Sequence, residues 1–144
     1  MRKLNILIDT NIFLDVFLQR SPFYEDSQSI LKLCEEHEIN GFLTASSITD
    51  IFYILQRGLH DTEASYDALG AVLDIARVIP VTGENVLEAY SLKAPDFEDC
   101  LLAICARSFG CDAIVTRNGK DFKFFDVKTI EPEDLLDTFL SGQE

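Results

Sequence analysis

Seven acid or amide side chains stand at junctions between apolar segments: Asp9 in "LIDTNIF", Asp50 in "SSITDIFYIL", Asp96, Glu98 and Asp99 in "PDFEDCLL", and Asn118 and Asp121 in "TRNGKDF". Each acid has an ordinary explanation, because a carboxylate at a helix start accepts free backbone N–H groups and gains from the helix dipole. Ser47 and Asp50, and again Asp96 and Asp99, have capping-box spacing. Capping does not require an acid beyond nearly every strand that would lie in the middle of a sheet. Carboxylates crowded at one edge repel and raise one another's pKa, and a divalent cation removes that conflict. An all-oxygen set without Cys or His suits Mg²⁺ or Mn²⁺, ions that work on phosphate groups.

The elements that must position these groups follow from hydrophobic periodicity. Leu4 to Ile8 reads as a buried strand and Thr10 to Leu18 as a helix, with Ile12, Phe13, Val16 and Phe17 at helical spacing. Ser21-Pro22 starts a second helix that Asn40-Gly41 stops, and Phe42 to Ala45 is the next strand. Ser46 or Ser47 caps a helix ending near Gly58, and Asp61 or Thr62 opens another that leads to a strand at Val78 to Val81. Gly83 to Leu92 is helical, Pro95 interrupts, and Asp96 caps a helix whose broad apolar face runs to Gly110. Ala113 to Thr116 is a strand, 117–122 a polar loop, Val127 to Ile130 a last strand, and Pro132 starts a terminal helix. Short apolar strands alternating with amphipathic helices predict a three-layer α/β/α sandwich with a central, mostly parallel sheet of about five strands. In such a sheet ligands bind beyond the carboxyl ends of the strands, where these acids fall.

At 144 residues the chain fits one domain spanning 1–144. No apolar run approaches the ~20 residues that cross a bilayer. The N-terminus shows no secretory signal, so a cytoplasmic protein with no membrane partner is expected. Cys34, Cys100, Cys105 and Cys111 have no CxxC pairing and read as free, inert thiols. The formal net charge is −13, from 25 acidic and 12 basic residues, which works against phosphate backbones unless metal ions neutralise a concentrated group of acids.

"LIDTNIFLDVF", "SSITDIFYIL" and "DFEDCLLAICARSFGCDAIVTRNGKDF", in this order and spacing, resemble the PIN-domain ribonucleases, the family that includes VapC-like toxin nucleases. The likeness spans essentially the whole chain. It implies a metal-dependent endoribonuclease acting on single-stranded RNA, with Mg²⁺ or Mn²⁺ held by Asp9, Asp50 and Asp99. Asp9 matches the family's first acid, Asp50 the second, where many members have Glu, and Asp99 the third. Many relatives carry the fourth acid directly after "TR"; here that residue is Asn118, and Asp121 is the nearest acid, so the fourth catalytic position lies between them. Asp96 and Glu98 are near enough to assist, and Asn11 and Thr116 resemble the polar residues that orient acids and metal-bound water. Arg117 and Lys120, with Lys123, form the one basic group beside the fourth position, either weak RNA contacts or ordinary surface charge. Phe52 and Tyr53 could stack on a base, but their place on an apolar helix predicts core. The resemblance also implies a small antitoxin partner and a homodimer, which exposed Phe23 and Tyr24 permit.

Two rivals come from other classes. An acid-rich α/β phosphatase or phosphotransferase would favour a second Asp two residues after the first, where this chain has Asn11. A non-catalytic PIN-like interaction module would be consistent with Asn118, but not with Asp9, Asp50 and Asp99 together. No Ser-His-Asp pattern, GxSxG elbow or phosphate loop offers another chemistry.

Overall fold

The computed structural model describes residues 2–122 and 125–142; Lys123 and the Phe124 beside it lie outside the described residues. Strands β1 (Asn5–Ile8), β2 (Asn40–Thr44), β3 (Arg77–Ile79), β4 (Ala113–Val115) and β5 (Thr129–Ile130) form one five-stranded sheet in the order β3-β2-β1-β4-β5. Every pairing is parallel, with Ile6 opposite both Gly41 and Ala113. Helices α1 (Thr10–Phe17), α2 (Tyr24–Glu35), α3 (Ala45–Leu59), α4 (Thr62–Ile75), α5 (Gly83–Leu92), α6 (Phe97–Phe109) and α7 (Pro132–Gly142) connect and cover the strands. The α/β/α sandwich expected from the periodicity is the fold observed.

Side-chain alternation divides the core. Ile6 and Ile8 face α1 to α4 and α7, with Ile12, Phe13, Ile30, Ile51 and Leu55. Leu7, Phe42 and Ile114 face α5 and α6, where every residue from Cys100 to Ala106 is buried. The four cysteines are free, and burial pushes the Cys34 thiol up to about 12 and the Cys111 thiol up to about 11, leaving both protonated. Gly41 is required by close approach: a Cβ there would lie 2.7 Å from Cys34 Sγ and 2.9 Å from Ile8 Cδ1, so α2 sits directly on β2. Gly110, with φ of 84°, closes α6 in the left-handed conformation.

From β1 the chain builds outward through β2 to β3, then crosses back to place β4 on the other side of β1. The reversal creates a crevice beyond the carboxyl ends of β1 and β4, and Asp9 and Thr116 are the residues that follow those strands. None of the described helices is long and apolar enough to cross a membrane.

Candidate active site

Asp9 occupies the N-cap position of α1, yet its side chain makes no capping bond to the helix. Instead Thr116 Oγ1 donates to Asp9 Oδ2 at 2.8 Å, and the same hydroxyl accepts from the Asn118 N–H at 3.1 Å. Thr116 is fully buried, so one hydroxyl at the end of β4 fixes both the first acid and the turn that follows. The second acid differs from its capping-box reading. Helix α3 starts at Ala45 without a side-chain cap, and the Thr44 hydroxyl pairs with those of Ser46 and Ser47 at 3.0 and 2.8 Å. Asp50, one turn in, is exposed and not drawn into a cap.

Asp96 does cap: its Oδ1 accepts from the Asp99 N–H at 2.9 Å, which seats Asp99 in the first turn of α6. The loop after β4 tightens into a short 3-10 turn, Gly119–Phe122, that carries Asp121. Asp9, Thr10, Asn11, Asp50, Asp96, Glu98, Asp99, Asn118 and Asp121 all line one cleft of about 370 Å³, joined by Tyr53, Ile54 and Phe122. Segments far apart in sequence thus deliver their acids to a single edge of the sheet.

The electrostatics follow from that crowding. Burial pushes the Asp99 carboxyl up to about 7, with Asp96, Asp9, Asp121 and Glu98 adding to the shift. Burial likewise raises Asp9, opposed by the Thr116 hydrogen bond, by the Thr10 backbone N–H and by Arg117, and reinforced by Asp121. Glu98 is raised by burial and then by Asp50, Asp96 and Asp9. Each folded value lies above its unfolded one, so the stabilising contribution is complete below about pH 4 and is lost as pH rises through about 7. Metal-free protein is therefore expected to lose about 1–2 kcal/mol over that interval at this solvent-screened site. Thermal unfolding in EDTA across the pH series checks this: Asp99→Asn should flatten the upper part of the curve, and an unchanged slope would mean that Asp99 does not carry the raised value.

The donor set fits a hard divalent cation. All the donors are oxygens, neighbouring carboxylates add to the raised values of Asp9, Glu98 and Asp99, and among the described residues the buried Thr10 Oγ1 at the cleft wall has no hydrogen-bond partner. A buried hydroxyl costs free energy when unpaired, and coordinated water is a partner that offsets it. Among the described residues no three acids converge into a ready ligand group, so the protein lines the site rather than closing it.

Other assignments change with the structure. Tyr53, expected in the core, is 58% exposed on the cleft rim, because α3 presents its Asp50 face to solvent there. Phe52 is half-buried and packs on Tyr66, with ring centroids 4.5 Å apart. Arg117 turns inward: its guanidinium donates to both oxygens of buried Asp15 at 2.8 and 3.0 Å and lies 3.8 Å over the Phe23 ring. Asp15 is a position that element junctions do not mark, and Thr10, a capping candidate from its place at the helix start, instead lines the cleft. The signal for Asp15 was an acid inside the apolar run "IFLDVF". Lys120 is exposed beside Asp121.

This is a parallel α/β protein with an oxygen-lined acidic cleft at its topological switch point. A model of the PIN domain matches residues 5–120, and the chain belongs to this family of nucleases. Its fold is similar to the VapC20 toxin of Mycobacterium tuberculosis, which cleaves the sarcin-ricin loop, at TM-score 0.61 and 15% identity over 76% of this chain and 86% of that one. It is also similar to a toxin-antitoxin complex from Klebsiella pneumoniae, at TM-score 0.64 and 19% identity over 88% and 97% of the two chains. The VapBC2 complex of Rickettsia felis bound to a promoter DNA fragment gives TM-score 0.69 and 16% identity over 88% and 97%. No curated protein matches the chain in sequence.

Proposed function

We propose that this protein is a metal-dependent endoribonuclease that hydrolyses phosphodiester bonds of single-stranded RNA, as the toxin of a toxin-antitoxin pair. The observation that carries the reading is the meeting of Asp9, Asp50, Asp99 and Asp121 in one cleft from four separate segments, with Asp9 held by Thr116 rather than spent on capping. Asp9, Asp50 and Asp99 would hold Mg²⁺ or Mn²⁺. Such an ion, when bound, supplies an acidified water and neutralises charge on the reacting phosphate.

The chain's own residues orient that chemistry. Thr116 points the Asp9 carboxylate into the cleft, Asp96 fixes the turn that carries Asp99, and Asn11 and Asn118 offer neutral polar groups beside the acids. Asp121 is the better fourth acid, because its charge is felt at both Asp9 and Asp99. Glu98 adds negative charge at the rim, and Lys120 remains a cation near the fourth position. Arg117 would act through Asp15 and the strand-end turn rather than as a phosphate contact. Toxin-antitoxin complexes among the similar folds support a small antitoxin as partner, and a homodimer is the proposed assembly.

Cleavage of single-stranded RNA should stop in EDTA and return with Mn²⁺ or Mg²⁺, and EDTA-resistant cleavage would overturn the mechanism. In the same series, Asp121→Asn should weaken Mn²⁺ binding by calorimetry far more than Asn118→Ala. The reverse order would give the fourth position to Asn118.

A further inference from the structure

The face of α3 that leaves the acidic cleft carries a graded set of groups. Asp50, Tyr53, Ile54 and Arg57 stand at i, i+3, i+4 and i+7, which places them in one row on the helix surface. Asp50, Tyr53 and Ile54 line the cleft, and Arg57 follows about 10 Å along the axis from Asp50, from seven residues at 1.5 Å each. Arg57 Nη1 donates to the Tyr53 hydroxyl at 2.9 Å, and its guanidinium carbon lies 5.6 Å from the ring centroid. The hydrogen bond holds the ring in one orientation while more than half of the residue remains exposed.

The arrangement is more than a surface pair. Of the three exposed tyrosines Tyr53, Tyr66 and Tyr90, only Tyr53 lines the acidic cleft. Two arginines near the site are engaged elsewhere: Arg117 is bonded to Asp15, and Arg20 lies 3.9 Å from Asp15 and donates to Asn11 at 3.3 Å, while Lys120 is exposed beside Asp121. Among the described residues Arg57 is in no ion pair with a carboxylate. In a chain with a net charge of −13, a guanidinium paired with no carboxylate among the described residues and a largely exposed aromatic ring to which it is bonded combine the two groups that hold single-stranded nucleic acid, a stacking face and a phosphate contact.

We propose that Tyr53 and Arg57 form a nucleotide subsite flanking the acidic centre, in which Tyr53 stacks on a base of single-stranded RNA and Arg57 contacts the phosphate beyond it. This rests on the nuclease reading and names how its substrate is held. The subsite is sequence-tolerant, since every base presents a π-face, and it directs the strand along α3 away from the acids.

The test is the affinity of a labelled oligouridylate, measured by fluorescence anisotropy with Ca²⁺ in place of Mg²⁺. Tyr53→Ala should raise Kd about tenfold or more, whereas Tyr53→Phe should stay near wild type. Arg57→Gln should weaken binding and reduce the slope of log Kd against log salt by about 0.7. Tyr66→Ala, at an equally exposed tyrosine outside the cleft, should bind as wild type. Equal losses in Tyr53→Ala and Tyr66→Ala, or none in Tyr53→Ala, would overturn the subsite. Hydrolysis of methyl p-nitrophenyl phosphate by the wild-type protein, which needs no base, separates the two readings: its absence would count against the nuclease while a Tyr53-dependent Kd would still stand.

Discussion

Asp9→Asn should reduce single-stranded RNA cleavage by about a thousandfold or more, about 4 kcal/mol of barrier, with little change in unfolding midpoint. The substitution deletes a charge but almost no volume. Its amide oxygen can still accept from Thr116, so the β1–α1 junction keeps the bond that orders it. Because Asp9 makes no capping bond, the helix loses no cap. Metal-free protein should even gain some stability near neutral pH, since one of several mutually repelling acids is gone. Cleavage at the wild-type rate by a folded variant would remove Asp9 from the mechanism. Mn²⁺ calorimetry on the same variant separates lost metal binding from lost chemistry.

Asp15→Ala should lower stability by about 3–5 kcal/mol, the cost of removing one partner from a buried ion pair. The Asp15 side chain is 0% exposed and that of Arg117 20%, and the pair is bidentate, with the Ser27 hydroxyl also donating to Asp15 at 3.3 Å. Truncation leaves the mostly buried Arg117 guanidinium without its carboxylate partner and releases the turn that carries Asn118 and Asp121. Urea denaturation should show a lower midpoint at an unchanged slope. The double variant Asp15→Leu with Arg117→Met should recover much of the loss, because two apolar side chains leave no buried charge. A single-variant loss below about 1 kcal/mol would mean that water replaces the missing carboxylate.

Much of this architecture is legible along the chain. The strands β1 and β4 are short apolar runs, and α6 is apolar enough that burial on nearly all sides follows from composition alone. Boundaries moved by a residue or two where strands end: β3 begins at Arg77 rather than Val78 because pairing with β2 continues to Phe42. The start of α3 at Ala45, ahead of the expected Ser46 or Ser47 cap, has a local reason. Ser46 and Ser47 look like caps, but their hydroxyls satisfy one another through Thr44, and that competition is invisible to spacing rules. Tyr53 was misassigned because periodicity reports which residues share a helix face, not whether a neighbouring element covers that face.

The α/β/α class, the strand-helix alternation and the set of acids that end up together are all written in the order of residues. Those properties reside in hydrophobic period and in residue type at element junctions, both of which are local. Which partner each polar group bonds to depends on the folded chain. Asp9 takes the Thr116 hydroxyl rather than capping its helix, Arg117 is drawn inward by Asp15, and Arg57 is bonded to Tyr53 on the rim of the acidic cleft. The partners Asp9–Thr116 and Asp15–Arg117 stand more than a hundred residues apart. The crossover from β3 back to β4 brings them together, and a buried charge then takes whichever partner the fold places within reach.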